Sequence, residues 1–444
     1  MEACRSNQFK KLRPQIARVW QLSVPAILTQ ITTIAMQYID SAMVGRLGAN
    51  ASAAIGLVST SSWMLNAVGY AVSAGFSVQV AQFIGAEEPH NARRVVRHGV
   101  FTALFFALLL AVLGIIIHRP LPRWLGGDPV LWQDASRYFL IYACALPFMM
   151  LNHLSASCLQ SAGNMVAPSI LNALMCLLDV IFNAFFIPRY GVLGAALGTG
   201  LAMVVIALVM LWLCLFGYEP LRLRREEPCP PDPAILKRAL RIGTPVGGEE
   251  LALSGAMVAT TVIIAPLGPI AIAANSFAVT AESLCYMPGF GVAAAAATLV
   301  GQSVGAKDLP LARRYGYITT AFGSAFMGLT GLIMFLACPL VFRLLTPVAE
   351  VQQVAAKILR IGLIAEPLYG ASIVASGALR GAADTLVPSL LILFSIWVVR
   401  LSLALLLVGP LGITGVWIAM AIELCFRGLI MIRRLVKSKY LRES

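Results

Sequence analysis

Residues 47–94, LGANASAAIGLVSTSSWMLNAVGYAVSAGFSVQVAQFIGAEEPHNARR, and residues 267–314, LGPIAIAANSFAVTAESLCYMPGFGVAAAAATLVGQSVGAKDLPLARR, are two copies of one segment. Laid together without a gap they agree at 16 of 48 positions, among them Gly69 with Gly289, Gln82 with Gln302 and Arg93-Arg94 with Arg313-Arg314. Compositional bias yields chance Ala and Leu matches, but it does not align Gly, Gln and paired Arg. The same offset of 220 carries Pro25 onto Pro245, Pro147 onto Pro367 and Pro168-Ser169 onto Pro388-Ser389. The chain is therefore read as a duplication that reaches across most of each half.

What was duplicated is a set of membrane spans. Of 444 residues 59% are apolar and 12% charged, half the charge of a soluble globular protein. About 20 mainly apolar residues cross the hydrocarbon layer as a helix. Twelve such runs follow one another, near 16–44, 51–82, 94–118, 130–157, 166–187, 191–216, 235–264, 270–302, 313–342, 350–378, 384–408 and 412–432. Barrel strands would alternate over about 10 residues instead. The expected fold is all-α and polytopic, with a six-helix lobe at 1–217, a linker at 218–234 and a second six-helix lobe at 235–444. Six is even, so both repeats enter from one side and their pseudo-twofold runs along the membrane normal. The linker holds EEPCPPDP, polar and stiff.

Basic residues set the orientation. With both termini cytoplasmic, 23 of the 33 lie on the inner side, five of them from Arg5 to Arg18, whereas the outer loops hold Arg46, Arg119, Arg123, Arg189 and Arg343. The expected location is the inner (plasma) membrane. The net charge of +13 is thus a topology signal, and the cations do not form the single basic face that nucleic acid needs. Nine cysteines without a CxxC are read as small buried hydrophobes, and four scattered histidines suggest no metal constellation. No clustered nucleophile and base point to an enzyme, and no Walker A motif to ATP. No cofactor is expected beyond a transported ion.

Seven of 20 acidic residues fall inside the spans: Asp40, Asp179, Glu249, Glu250, Glu282, Glu366 and Glu423. On the insertion scale a mid-membrane carboxylate costs roughly 2.5–3.5 kcal/mol, so each must be near an interface, paired, protonated or facing water. Asp40 and Arg46 are six apart, about 240° round a helix, and do not share a face. A carboxylate such as Asp40 in a half-dry cavity can exchange a proton in the working range. Asn172, Cys176, Asp179 and Asn183 form a polar stripe that lipid does not tolerate. It is read either as part of an ion site with Asp40 or as interhelical hydrogen bonding. Glu282 and Glu366 are open to neutralisation by Arg400, Glu423 and Arg427 form an i,i+4 pair, and Asp384 is placed to cap the next helix. Pro25, Pro147, Pro245 and Pro367 lie inside spans, as fixed kinks or as hinges.

YIDSAMVGRLG (38–48), FIPRYGVLGAALGT (186–199), ESLCYMPGFGVAAAAATLVGQSVGAKDLPLARR (282–314) and GALRGAADTLVP (377–388) resemble the multidrug and toxic compound extrusion (MATE) family, in order and in both halves. The resemblance implies a V-shaped pair of six-helix lobes that exports organic, often cationic, compounds in exchange for protons or sodium ions. Asp40 has Thr260 at its matched position, and Leu253 stands where NorM-like members carry a seventh-helix glutamate, so the chain is more similar to the DinF-like branch. The family pattern that Asp179, Asn183 and Thr199 resemble has Asn before Asp, and here the two are exchanged. Hard oxygen ligands from Asp40, Asp179, Asn183 and Thr199 would serve Na+. Glu249, Glu250, Glu282 and Glu366 are secondary candidates in the second half.

The expected function is secondary active multidrug efflux by alternating access, with small organic molecules and the lipid bilayer as partners, no nucleic acid, and a monomer as the working unit. The alternative is a lipid-linked precursor flippase of the same superfamily. Such a flippase would need several cavity bases to meet pyrophosphate, and Arg400 is the lone base within the eleventh span.

Overall fold

The computed structural model describes residues 2–224 and 230–438, with only the backbone described for residues 2–12 and 49. Cys229 and the linker residues 225–229 lie outside this set. Every regular element among the described residues is helical. We number the spans α1 (Glu2–Gly45), α2 (Ala49–Gly85), α3 (Pro89–Ile117), α4 (Trp132–Ser161), α5 (Val166–Tyr190), α6 (Val192–Trp212), α7 (Pro233–Ile264), α8 (Pro269–Gly305), α9 (Leu309–Leu345), α10 (Ala349–Leu363 continuing as Glu366–Gly381), α11 (Leu386–Leu411) and α12 (Ile413–Lys437). Eleven of them are long and apolar enough to span alone, and α10 makes twelve when its two pieces count as one span. This is an all-α polytopic membrane protein.

The tenth span is not the continuous helix that its hydropathy suggested. It bends by 54° between Leu363 and Glu366. Pro367 follows at once, within the first turn of the second piece, where a missing N–H costs nothing. Pro25, Pro147 and Pro245 do lie inside helices.

The duplication is visible in the backbone as well. Left-handed φ angles recur at the same offset: Gly48 with Gly268, Glu87 (60°) with Lys307 (59°), and Gly163 (95°) with Ala383 (63°). Each ends or begins a helix at a turn. Packing repeats too, since α2–α3, α2–α4, α3–α4, α4–α6 and α5–α6 are matched by α8–α9, α8–α10, α9–α10, α10–α12 and α11–α12.

The chain forms two compact units, Ile31–Glu250 and Met1–Gln30 with Leu251–Ser444. Neither division falls in the linker. Both fall inside a helix, five residues after a matched proline, Pro25 in α1 and Pro245 in α7. The first part of α1 is therefore counted with α8–α12, and the first part of α7 with α2–α6.

Within its unit that first part of α7 is fastened to α2. Gln79 Nε2 donates to Ile235 O (3.2 Å), and Arg238 donates to Gln82, the glutamine repeated as Gln302. Gly75 lies against the Ala239 carbonyl, where an added Cβ would come within 2.5 Å of the oxygen, and Gly243 lies as close to that of Ala71. In the other unit Gly291 of α8 lies against the α1 backbone at Ala26, and Trp20 meets the Phe322 ring edge-on at 5.6 Å.

Candidate functional site

On α5, residues 175, 179, 183 and 187 repeat every four positions, one face of a helix. All four are buried, and the two in the middle are polar: Met175, Asp179, Asn183, Ile187. On α1 the same spacing gives Met36, Asp40 and Val44. Met36, Met175, Ala202 and Ile206 form one apolar cluster. Val44, Ala51, Ile187, Val192 and Ala195 form another. The polar residues lie between them, with an apolar layer one turn away on either side.

Asn183 is the centre of this polar layer. Its Nδ2 donates to Asp40 Oδ1 (3.0 Å) and to Asp179 Oδ1 (3.2 Å), so one amide bridges the carboxylates of α1 and α5. Asp179 and Asn183 are fully buried, and Asp40 is half-buried. Asp179 Oδ2 and Asn183 Oδ1 are buried without a hydrogen-bond partner. Two carboxylates on one neutral donor are under-compensated in a dry site, which makes a proton or a small cation a fitting third party. The four oxygens of the two carboxylates are the hard donors that such a cation prefers.

Thr199 and Asn172 are not drawn in to the same degree. Thr199 on α6 is half-buried and makes no hydrogen bond to the bridge. Asn172 lies seven residues before Asp179, about 10 Å along the helix, and likewise makes none. The polar stripe is thus split, its upper pair engaged with Asp40 and its lower pair, Asn172 and Cys176, only half-buried.

Two participants escaped the sequence reading. Gly198 lies directly against Asn183, so that an added Cβ would overlap the carboxamide oxygen. Gly194, one turn earlier, lies equally close to the Phe186 carbonyl. Together they form a small-xxx-small pair that lets α6 lie on α5, and that spacing was the available signal. The second is Tyr138 of α4, within electrostatic reach of both Asp40 and Asp179. Its neighbour one turn on, Tyr142, accepts from Asn66 (2.9 Å) and donates to Ser62 O (3.0 Å).

The second unit holds a buried charged cluster of its own. Arg427 Nε lies 3.1 Å from Glu423 Oε1, with side chains 8% and 0% exposed, and Ser395 Oγ donates to the same oxygen at 2.6 Å. The Arg427 guanidinium covers the Tyr369 ring at 5.0 Å. Glu366, at the bend of α10, is fully buried and neither of its oxygens has a partner; Glu282 Oε1 is buried and also lacks one. Arg400 ends a π-helical turn in α11, Ser395–Arg400, a distortion that recurs at functional sites. It lies within electrostatic reach of Glu282 and Glu423, but among the described residues it makes no ion pair with either. Three acids face two bases, so one acid has no base to pair with.

The remaining expectations meet mixed fates. Glu249 and Glu250 lie in the part of α7 that packs with α2–α6, and Tyr70 is within electrostatic reach of Glu250. Asp384, read as placed to cap the next helix, also accepts from Arg434 Nε and Nη2 (2.9 and 2.6 Å), a long-range ion pair. Cys158, Cys214, Cys285 and Cys338 are buried, but Cys144 is exposed, a correction to its reading as a core residue.

The family model MatE matches residues 25–185 and again 245–406, once per repeat. "Multidrug resistance protein NorM" of Burkholderia vietnamiensis is 29% identical over 425 residues, covering 92% of this chain and 88% of that protein. "Probable multidrug resistance protein NorM" of Thermotoga maritima is 28% identical over 435 residues, covering 95% and 92%. A solved MOP superfamily transporter from Pyrococcus furiosus superposes with a TM-score of 0.90 at 20% identity, covering 96% of this chain and 97% of that one.

Proposed function

The chain belongs to the MatE family, transporters rather than enzymes, and from that premise we propose that it exports organic, often cationic, compounds in exchange for protons or sodium ions by alternating access. One observation supports the reading above the others: Asn183 holds the Asp40 and Asp179 carboxylates together in a buried layer. Such a layer carries one of two passengers. When Asp40 is ionised it attracts a cationic substrate; when a proton or Na+ takes up that charge, the attraction is gone and the substrate leaves. Inward movement of one positive charge down 100 mV supplies about 2.3 kcal/mol. That is enough for roughly a fiftyfold gradient of substrate.

The acids of the two units take different parts. Asp40 is the exchange group, Asp179 shares its ion, Asn183 couples them, and Thr199 and Asn172 line the approach. Glu282 and Glu366 form the second unit's secondary site, with Glu249 and Glu250 on the path along α7. The absence of an acid at Thr260 supports the DinF-like assignment. The two six-helix repeats, 1–217 and 235–444, serve as the moving halves of a monomer in the inner membrane with both termini in the cytoplasm. The relatives described as multidrug resistance proteins support the substrate class. A lipid-linked pyrophosphate would call for buried bases where this layer holds two carboxylates.

The deciding experiment is dye efflux from proteoliposomes under a pH gradient and a sodium gradient imposed separately. Efflux driven by either gradient and lost in Asp40→Asn supports the reading. Full coupled efflux by Asp40→Asn rejects it.

A further inference from the structure

The first part of α7 does not close completely on its neighbours. Beside the seam at Gly75 and Gly243, a cavity of about 520 Å³ opens between α2, α3 and α7. All of it lies within the unit Ile31–Glu250. Its walls are apolar, with Val72 and Phe76 behind and Phe101, Phe105 and Leu240 at the mouth. The last three are 68%, 64% and 60% exposed. On a membrane protein at this depth, exposed means facing acyl chains.

The two helices that frame the mouth carry their residues in the same order. α3 presents Arg97, Phe101 and Phe105 at intervals of four, and α7 presents Lys237, Leu240 and Thr244 at intervals of three and four, each series on one helix face. Both helices begin at the same side in the orientation proposed above, so on that side a base stands one turn before Phe101 on α3 and before Leu240 on α7. Arg241, four residues after Lys237, adds a second cation. The other bases at this level are engaged: Arg94 pairs with Asp232 (3.4 Å) and Arg238 with Gln82. Arg97 reaches the Arg224 carbonyl. Lys237 and Arg241 are exposed and make no ion pair among the described residues. Lys237, one turn before Leu240, and Arg241, beside it, flank the exposed side of the apolar slot, and two such cations match an anionic headgroup with its acyl chain.

We propose that this groove is a specific site for an anionic phospholipid of the cytoplasmic leaflet, one acyl chain lying between Phe101, Phe105 and Leu240 and the headgroup held by Lys237 and Arg241. The leaflet, though not the site, rests on the orientation given under the proposed function. An acyl chain there replaces packing atoms that α3 and α7 do not supply to each other. It therefore backs the glycine seam by which the first part of α7 lies on α2. Basic pockets between spans on the cytoplasmic side are known to select anionic headgroups in this manner.

The test is native mass spectrometry of the full-length protein after graded delipidation, titrated with phosphatidylglycerol or with phosphatidylcholine of the same chains. Wild type should retain one phosphatidylglycerol preferentially. Lys237→Gln with Arg241→Gln, both at exposed positions, should weaken that retention roughly thirtyfold, two interfacial charges' worth. Leu240→Trp should abolish it by filling the slot, at an unchanged melting temperature in detergent. Equal retention of the two lipids by wild type, or wild-type retention in the double variant, overturns the site. Labelling of Lys237→Cys by an impermeant maleimide from the external face would overturn the leaflet and the orientation while leaving lipid retention intact.

Discussion

Gly198 of α6 is the floor on which the Asn183 side chain rests: the space for a Cβ at position 198 is already filled by the carboxamide oxygen of residue 183. The bridge between Asp40 and Asp179 thus depends on a residue that carries no functional group. Gly198→Ala improves helix propensity by about 1 kcal/mol, yet the methyl must displace Asn183 and break one or both of its hydrogen bonds to carboxylate. Each such bond contributes about 1.5–3 kcal/mol. The expected outcome is a loss of coupled efflux of at least tenfold in proteoliposomes, in a protein that still purifies as a folded species. Wild-type efflux by Gly198→Ala would show that the bridge is not needed in its present geometry.

Asp40→Asn isolates the charge from the bridge, because the asparagine oxygen can still accept from Asn183. Folding should be intact, with a melting temperature near that of wild type. Cationic substrate binding should weaken by about one unpaired charge and lose its pH dependence. The sign follows from the exchange: in wild type, lowering the pH protonates the carboxylate and releases the cation, so affinity rises with pH until the acid is fully ionised. In Asp40→Asn the curve should be flat. Equilibrium dye binding across pH 5–9 measures both; a variant that keeps the wild-type slope would place the titrating group elsewhere.

Ala383 stands in the left-handed region (φ 63°) at the turn between α10 and α11, where the first repeat has Gly163 (φ 95°). An L-residue with a Cβ pays about 1–2 kcal/mol there, and glycine gives back about 0.4–1 kcal/mol through the greater freedom of the unfolded chain. Ala383→Gly should therefore stabilise the protein by about 0.5–1 kcal/mol, seen as a higher melting temperature in detergent with unchanged efflux. A lower melting temperature would mean that the alanine methyl supplies packing worth more than the strain.

The duplication was legible because proline, glutamine and paired arginine are uncommon in apolar runs, so their recurrence at 220 residues stood out from the background. Asp40, Asp179 and Asn183 were legible for a related reason: a carboxylate between two apolar layers needs an explanation, and the spacing of 179 and 183 puts both on one face. Gly198 was harder to see, since its role is an empty volume next to another helix. The bend before Glu366 was hidden because hydropathy stays high across it and a break in hydrogen bonding leaves no mark on composition. Asp384 was legible only in its local setting. Its position just before α11 suits a local cap, and nothing there points to Arg434, 50 residues further on. The division of α1 and α7 between units is likewise a tertiary property of helices that are each continuous in sequence.

The second unit's cluster separates acids that hold the fold together from acids that do not. Glu423 has Arg427 and Ser395 as partners and is fully buried. Removing the base in Arg427→Met breaks the buried ion pair, which costs about 3–5 kcal/mol, so the melting temperature should fall by several degrees and the yield with it. Glu366 is as deeply buried, but neither of its oxygens has a partner. Glu366→Gln keeps the shape and leaves two acids against two bases. It should melt at or above the wild-type temperature. If Glu366 is also part of the secondary ion site, the same variant should transport with fewer ions per substrate, read as a smaller shift in reversal potential under an imposed gradient. A marked drop in melting temperature for Glu366→Gln would instead assign Glu366 a structural partner and remove it from the ion path.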